Sequence, residues 1–185
     1  MTTRLFRVFP WLPDAQTPDR PGHPLYVSPT QGTGRIDGPD RYRVLYASTS
    51  EVGAIGERFG DLEEWSDAMF VVPSLVGGTR ALAEYSLDDP LLDLDDAKAL
   101  LDRELRPSRV VTRDRGTTQR WARAIFDEGR WAGVSWWSFW NPDWASCGTW
   151  AVDRLELVSV APLADRIDAV HEARDVLARP WRERR

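Results

Sequence analysis

Apolar and polar positions recur with two different periods along the chain, and together they predict an α+β fold. Short apolar runs predict strands at residues 44–46, 68–73, 81–87 and 155–160. Apolar residues at helical spacing predict four helices, one after Ser48 and the others near 95–105, 117–129 and 165–177. We therefore expect a single domain over residues 1–185, with a mixed or antiparallel β core flanked by helices.

The first predicted helix runs to about Phe59 and presents a carboxylate away from its core-facing side. Three apolar residues share that core-facing stripe: Val52, Ile55 and Phe59. Ser48 and Glu51 stand at the spacing of a capping box before the helix. Glu57 points roughly opposite the stripe, near Gly53 and Ala54. These small neighbours leave space for a ligand beside Glu57, although a solvated helix face is the simpler interpretation.

The helix predicted to begin near Thr117 or Thr118 precedes a segment rich in tryptophan. It is expected to end at Gly129 and to turn four residues inward: Trp121, Ala124, Ile125 and Phe126. Five tryptophans then lie between residues 131 and 144. As a strand, this segment would place Val134, Trp136, Ser138 and Trp140 on one face, and Ser135, Trp137 and Phe139 on the other. The alternation is typical of a two-sided core, and a stacking platform for sugars or bases is the alternative.

Residues 9–40 carry many prolines and glycines, which predicts a long loop. Trp11, Leu25 and Tyr26 give this loop apolar anchors, so we expect it to be ordered. A long ordered loop in a compact domain is usually functional. The loop ends in GTGRIDGPD, where Arg35 follows a glycine-rich turn.

Composition and charge narrow the class of protein. With 42% hydrophobic and 29% charged residues, the chain is typical of globular proteins. Its formal net charge of −5 argues against nucleic acid or anionic lipid as a direct partner. One cysteine and two distant histidines give no zinc-ligand spacing, so no metal is predicted. The first residues lack a secretory pattern and no apolar run has the length of a membrane span, which predicts a cytoplasmic protein.

Common signatures of phosphate cradles, acyl transfer and zinc hydrolysis are absent from the sequence, so any chemistry must come from scattered polar residues. Four candidates border predicted element ends: Arg35, Tyr46, Glu57 and Ser138. Arg35 suits bidentate phosphate binding, and Glu57 suits stabilisation of a developing cation. Tyr46 can stack on a ring or pack in the core. Ser138 has no histidine near it in sequence, which favours hydrogen bonding or packing over nucleophilic catalysis.

Five segments of the chain resemble the RES domain family in order and spacing. They are LFRVFP, GTGRIDGPDRYRVLYAS, the glutamate of AIGERFG, TTQRWARAIF and AGVSWWSFWNP. The family is named for an arginine, a glutamate and a serine, which match Arg35, Glu57 and Ser138, and its strand tyrosine matches Tyr46. The resemblance spans most of the chain. One departure follows the arginine, where residues 36 and 37 are Ile and Asp instead of the family's usual aromatic residue and asparagine.

The resemblance implies an activity and a role for each matched residue. RES proteins are the toxins of bacterial RES–Xre toxin–antitoxin pairs and degrade NAD+ by phosphorolysis or hydrolysis, and their fold is similar to that of ADP-ribosyltransferase toxins. Glu57 is then expected to bind the ribose hydroxyls and stabilise the cationic centre, and Arg35 to hold a phosphate. Tyr46 is expected to pack against nicotinamide or ribose, and Ser138 to orient the nicotinamide or Glu57. The roles of Tyr46 and Ser138 are interchangeable at this point.

The same resemblance implies the ligands and partners. NAD+ is expected as substrate without a bound cofactor, inorganic phosphate as an optional co-substrate, and an Xre-type antitoxin as protein partner. A homodimer stays open. Two alternatives also stay open: transfer of ADP-ribose to a protein target, and a non-catalytic nucleotide- or sugar-binding domain with a tryptophan-lined groove.

Overall fold

Seven strands form one mixed sheet in the computed structural model, which describes residues 2–183. The strands are β1 (Thr3–Trp11), β2 (Leu45–Ser48), β3 (Thr79–Leu87), β4 (Leu91–Asp93), β5 (Gly133–Trp137), β6 (Ala145–Thr149) and β7 (Glu156–Pro162). Their order across the sheet is β4-β5-β6-β2-β1-β3-β7. Every neighbouring pair is antiparallel except β4 and β5, which are parallel. The predicted mixed sheet is thus confirmed.

Helices cover the sheet and fill the connections between strands. They are α1 (Glu51–Phe59), α2 (Ala97–Leu101), α3 (Pro107–Val110), α4 (Arg115–Asp127) and α5 (Ile167–Val176). Three 3₁₀ turns lie at Asp67–Phe70, Val152–Arg154 and Leu163–Arg166. Gly129 follows α4 with a φ of +69°, the conformation expected of a residue just past a helix end. No helix within residues 2–183 is both long and apolar enough to cross a membrane.

Buried side chains form three clusters around the sheet. The cluster beside α4 contains Trp121 and Ile125 of that helix together with Trp136 of β5. A second cluster covers one face of the neighbouring strands β1 and β3 and includes Tyr85. The third cluster joins α1 and α5 to the sheet around Phe59. The sheet is therefore packed on both faces, as expected for an α+β fold.

Several expected elements differ in the structure. Residues 68–73 were expected to form a strand, but Asp67–Phe70 is a 3₁₀ turn and Val71 makes only an isolated bridge to Thr79. The helix expected at 95–105 ends at Leu101, because Glu104 takes a φ of +51° that no helix can continue through. The loop expected from residue 9 begins after Trp11, since β1 pairs along its whole length with β3. Short apolar runs do not distinguish these states without their tertiary partners.

Two side-chain assignments are also wrong. The residue that caps α1 is Ser50, whose hydroxyl accepts the amide hydrogen of Gly53 at 3.0 Å, and not Ser48. Ser48 instead lies in β2 and donates its hydroxyl to the carbonyl of Ala145 at 2.8 Å. On α4, Ala124 is exposed, whereas the neighbouring position 122 faces the core. The core-facing stripe of α4 is therefore rotated slightly about the helix axis relative to the predicted one.

Candidate active site

A cavity of about 300 Å³ opens where β1 and β2 separate. In the described part of the chain these two strands pair at a single position, Phe6 opposite Ser48. Continuing that register would place Val8 opposite Tyr46, but both residues line the cavity instead. The volume is at the lower end of the range for small-molecule pockets. The parting of two central strands thus creates a binding cleft in the middle of the sheet.

Helix α1 brings a carboxylate to this cleft. The helix packs against β1, β2 and β6, and Glu57 lines the cavity with its side chain exposed. The close approach requires glycine at position 56, where a Cβ would lie 2.0 Å from Cζ3 of Trp144. Of the small residues predicted beside Glu57, Ala54 lines the cavity, whereas Gly56, which was not among them, seats the helix on the buried Trp144. As a consequence, the next residue along the helix reaches the cleft.

Ser146 holds the Glu57 side chain in place. Its hydroxyl donates to Oε1 of Glu57 at 2.7 Å, a hydrogen bond strengthened by the negative charge of the acceptor. Ser146 is buried on β6, opposite Trp136 of β5. Oε2 of Glu57 accepts no hydrogen bond from residues 2–183. The carboxylate is thus oriented at one oxygen and free to meet a ligand at the other.

Tyr46 presents its ring to the cavity while its hydroxyl is committed elsewhere. The hydroxyl donates to Oδ1 of Asp37 at 2.7 Å and accepts the amide hydrogen of Ile36 at 3.0 Å. Burial, and then the hydrogen bond to Asp37, raise the pKa of Tyr46 far above its usual value. The Tyr46 hydroxyl is therefore unsuited to proton transfer, and the ring remains as a packing surface for a ligand.

Asp37 organises the turn that carries Arg35. Its Oδ2 accepts the amide hydrogens of Gly32 and Gly34, each at 2.7 Å, and the side chain is buried. Gly34 is necessary here, because a Cβ would lie 2.3 Å from the hydroxyl of Tyr46. The carboxylate that replaces the family's usual asparagine thus connects the glycine-rich turn to β2.

Arg35 packs against Trp136, which lines the cavity. Its Nη1 donates to the carbonyls of Val110 and Thr112 at 2.6 and 3.0 Å, and its guanidinium carbon lies 5.8 Å from the ring centre of Trp136. Burial, and then repulsion from Arg115, lower the pKa of Arg35, whereas the charge of Glu57 raises it. Glu57 and Arg35 are therefore within electrostatic reach of each other, although only Glu57 lines the cavity.

Ser138 is the first residue after β5. It is buried and forms hydrogen bonds within the tryptophan-rich loop. Its amide donates to the carbonyl of Trp144 at 2.7 Å, and its hydroxyl accepts the amide hydrogen of Trp140 at 3.0 Å. No hydrogen bond joins Ser138 to Glu57, and Ser138 does not line the cavity. In this conformation it shapes the loop that places Trp144 against α1.

Most residues of the cavity wall were not among the candidates, and they include Ser146, Trp136 and Arg58. The sequence predicted the inward face of Trp136 but attached no site to it. β6 was not predicted, because its ASCGT sequence is short and lacks branched apolar residues. Nothing in the sequence pairs Ser146 with Glu57, which is 89 residues away. Cys147 also borders the cavity, but burial raises its pKa to about 12, so it stays a thiol near neutral pH.

Comparison with known proteins identifies the family. The family model of the RES domain matches residues 4–159. The chain belongs to the RES domain family. All four residues matched by resemblance, and Ser146, lie inside that stretch of the RES domain.

Solved structures include a similar fold. One is a chain in the crystal structure of the M. tuberculosis MbcT–MbcA toxin–antitoxin complex, which matches this RES domain with a TM-score of 0.63 at 16% sequence identity. The match covers 92% of this chain and 90% of that chain. A search of curated proteins gives no match. At this identity the likeness establishes the fold, and it confirms the α+β architecture expected from sequence.

Proposed function

We propose that this RES domain degrades NAD+ by cleaving the bond between nicotinamide and ribose. The observation that carries the proposal is the Glu57 carboxylate, which Ser146 orients inside the cavity formed by the separation of β1 and β2. The rings of Tyr46 and Trp136 line the same cavity. A carboxylate beside aromatic surfaces suits a ligand that has a ribose and a flat, positively charged ring.

The reaction needs a negative charge more than it needs an acid. When the carbon–nitrogen bond breaks, its electron pair leaves with nicotinamide, which departs neutral, and the ribose carbon acquires oxocarbenium character. The free oxygen of Glu57 would bind ribose hydroxyls and stabilise this cation. An oxygen of water or inorganic phosphate then forms the new bond to carbon, giving ADP-ribose and a proton, or the 1″-phosphate of ADP-ribose.

Three further residues are assigned supporting roles in this proposal. Tyr46 would pack its ring against the nicotinamide ribose, since its hydroxyl is already committed to Asp37. Arg35 would hold a phosphate with guanidinium nitrogens other than Nη1, which two backbone carbonyls occupy. Arg35 does not line the cavity itself but packs against Trp136, which does. Ser138 would act through the loop that it organises.

The family and the fold support a proposed cellular role as a toxin. The resemblance to RES toxins and the likeness to a chain of a toxin–antitoxin complex support the assignment of this RES domain as the toxin of such a pair. An Xre-type antitoxin would bind it and cover the cavity. Expression of the chain alone should then lower cellular NAD+ and arrest growth, and Glu57→Gln should abolish both effects. Unchanged NAD+ in cells that contain the folded protein would contradict this role.

The enzymatic proposal is tested with purified full-length protein and NAD+, with and without inorganic phosphate. Nicotinamide and ribose products are followed by liquid chromatography with mass detection. Glu57→Gln should lower kcat/KM by about 100-fold or more, because it removes the charge that stabilises the transition state. Ser146→Ala should lower kcat by about tenfold with a smaller change in KM, since the hydroxyl only positions the carboxylate.

Glu51→Gln is the matched control, because Glu51 is on the same helix but does not line the cavity. It should leave turnover close to wild type. Equal rates in the Glu57 and Glu51 variants would overturn the proposal. Mass increases on added proteins would identify ADP-ribosyl transfer in place of phosphorolysis or hydrolysis. Saturable NAD+ binding without any nicotinamide release would favour the non-catalytic binding domain.

A further inference from the structure

A second cavity, of about 410 Å³, lies on the other side of Arg58. Two arginines line it, Arg58 at the end of α1 and Arg80 near the start of β3. Both guanidinium carbons lie close to the ring centre of Phe59, at 6.0 and 5.6 Å. Arg58 also lines the NAD+ cavity proposed above, so one side chain borders both spaces.

Arg80 lacks hydrogen-bond partners for the donors that it buries. Its Nε and Nη1 atoms are inaccessible to solvent and have no acceptor within residues 2–183. Leaving such donors unsatisfied is unfavourable, and more so when the group is charged. Burial, and then repulsion from Arg58, lower the pKa of Arg80. The two arginines thus place uncompensated positive charge against the same small space.

The acidic residues of this cavity do not neutralise the pair. Asp61 and Glu64 contribute to its lining, but neither lies within salt-bridge distance of Arg58 or Arg80 in the described chain. The ion pair of Glu64 is made with Arg182, at 3.6 Å. An anion in this cavity that offers several acceptor oxygens would neutralise both charges, and it would bind Nη2 of Arg80, the nitrogen of that guanidinium that is not among the buried donors.

We propose that Arg58 and Arg80 form a binding site for a phosphate group at the edge of the NAD+ cavity. Phosphate presents the oxygens that a forked guanidinium donor recognises. The group is either inorganic phosphate or a phosphate of the dinucleotide. Binding of a dinucleotide phosphate at this site rests on the proposed function, whereas binding of inorganic phosphate does not.

The site is tested by titrating the full chain with inorganic phosphate at constant ionic strength, following the Arg80 Nε–Hε signal by NMR. That signal should shift with saturation, because Nε belongs to the guanidinium that would bind the anion through Nη2. Arg80→Gln and Arg58→Gln should each weaken phosphate binding by about tenfold or more. Arg20→Gln, which removes the same charge from an exposed loop position, should leave the affinity unchanged. Asp61→Asn should tighten binding by removing a competing carboxylate.

Equal phosphate affinity in wild type and both cavity variants would overturn the proposal. It would also be overturned if Asp61→Asn moved the Arg80 signal without phosphate and phosphate then caused no further shift, because Asp61 would then be the partner of Arg80. Should Arg80→Gln fail to fold, the exposed Arg58 still provides the decisive variant.

A competition identifies the source of the phosphate group. Displacement of inorganic phosphate by ADP-ribose would assign the site to the dinucleotide. Simultaneous binding of both, with Arg58→Gln raising the KM for phosphate but not for NAD+, would assign it to the free ion. Phosphate binding at Arg80 in a protein that releases no nicotinamide would refute the proposed enzyme and leave the anion site established.

Discussion

The Asp37 carboxylate gives the most direct test of how the glycine-rich turn is held to the sheet. It accepts two backbone amide hydrogens, from Gly32 and Gly34, and the hydroxyl hydrogen of Tyr46, all at 2.7 Å. In Asp37→Asn, the amide oxygen can still serve the two glycines, but the NH₂ group then faces the hydroxyl of Tyr46. That hydroxyl already accepts from Ile36, so its own hydrogen loses an acceptor.

The expected losses in the free energy of unfolding follow from the number of hydrogen bonds that each substitution removes. Asp37→Asn replaces one charge-assisted bond and should lower the free energy of unfolding by about 1–3 kcal/mol. Asp37→Ala leaves the two glycine amides and the Tyr46 hydroxyl without their acceptor, and should lower it by about 2–4 kcal/mol. Tyr46→Phe removes the shared hydroxyl. The double variant Asp37→Asn/Tyr46→Phe should lose about 1–2 kcal/mol less than the sum of the two single losses.

Urea unfolding, followed by far-ultraviolet circular dichroism and by tryptophan fluorescence, measures each free energy by linear extrapolation. The two probes should report the same transition, which justifies a two-state treatment. Additive losses for the Asp37 and Tyr46 variants would refute the reasoning, because the two side chains would then not share a hydrogen bond. A loss below about 0.5 kcal/mol for Asp37→Asn would refute it as well, since surface substitutions reach that size.

Two further predictions concern packing and acid stability. Gly56→Ala would place a methyl group 2.0 Å from Trp144, and we expect a loss of about 1–3 kcal/mol in thermal unfolding. Gly116→Ala on α4, whose Cβ meets nothing closer than 3.4 Å, should change stability by less than about 1 kcal/mol, and equal losses would contradict the argument. Burial raises the pKa of Glu128, but hydrogen bonds from Arg103 and neighbouring donors outweigh it and lower that pKa to about 2. This stabilisation is complete above the ordinary pKa of 4.5 and is lost as pH falls toward 2. The free energy of unfolding, measured in urea, should therefore fall less over this pH range in Glu128→Gln than in the wild type.

The family resemblance and the local patterns anticipated much of the site. The strand before Glu57, the helix that carries it and the stop at Gly129 each depend on neighbouring residues, so the sequence alone predicted them. The α1 stripe was predicted for the same reason, since helical periodicity is a local property. Arg35, Tyr46, Glu57 and Ser138 were recognised by order and spacing, which also depend on sequence alone. Their proposed chemical roles await the experiments above.

Sequence patterns by themselves determined which segments can form strands and helices and which polar residues stand at their ends. Only the tertiary structure decided that β1 and β2 part after Phe6, that Ser146 and not Ser138 donates a hydrogen bond to Glu57, and that Arg35 packs against Trp136. The physical reason is separation along the chain. Strand register and helix seating are fixed by hydrogen bonds and packing between distant segments, and short-range periodicity carries no information about those partners.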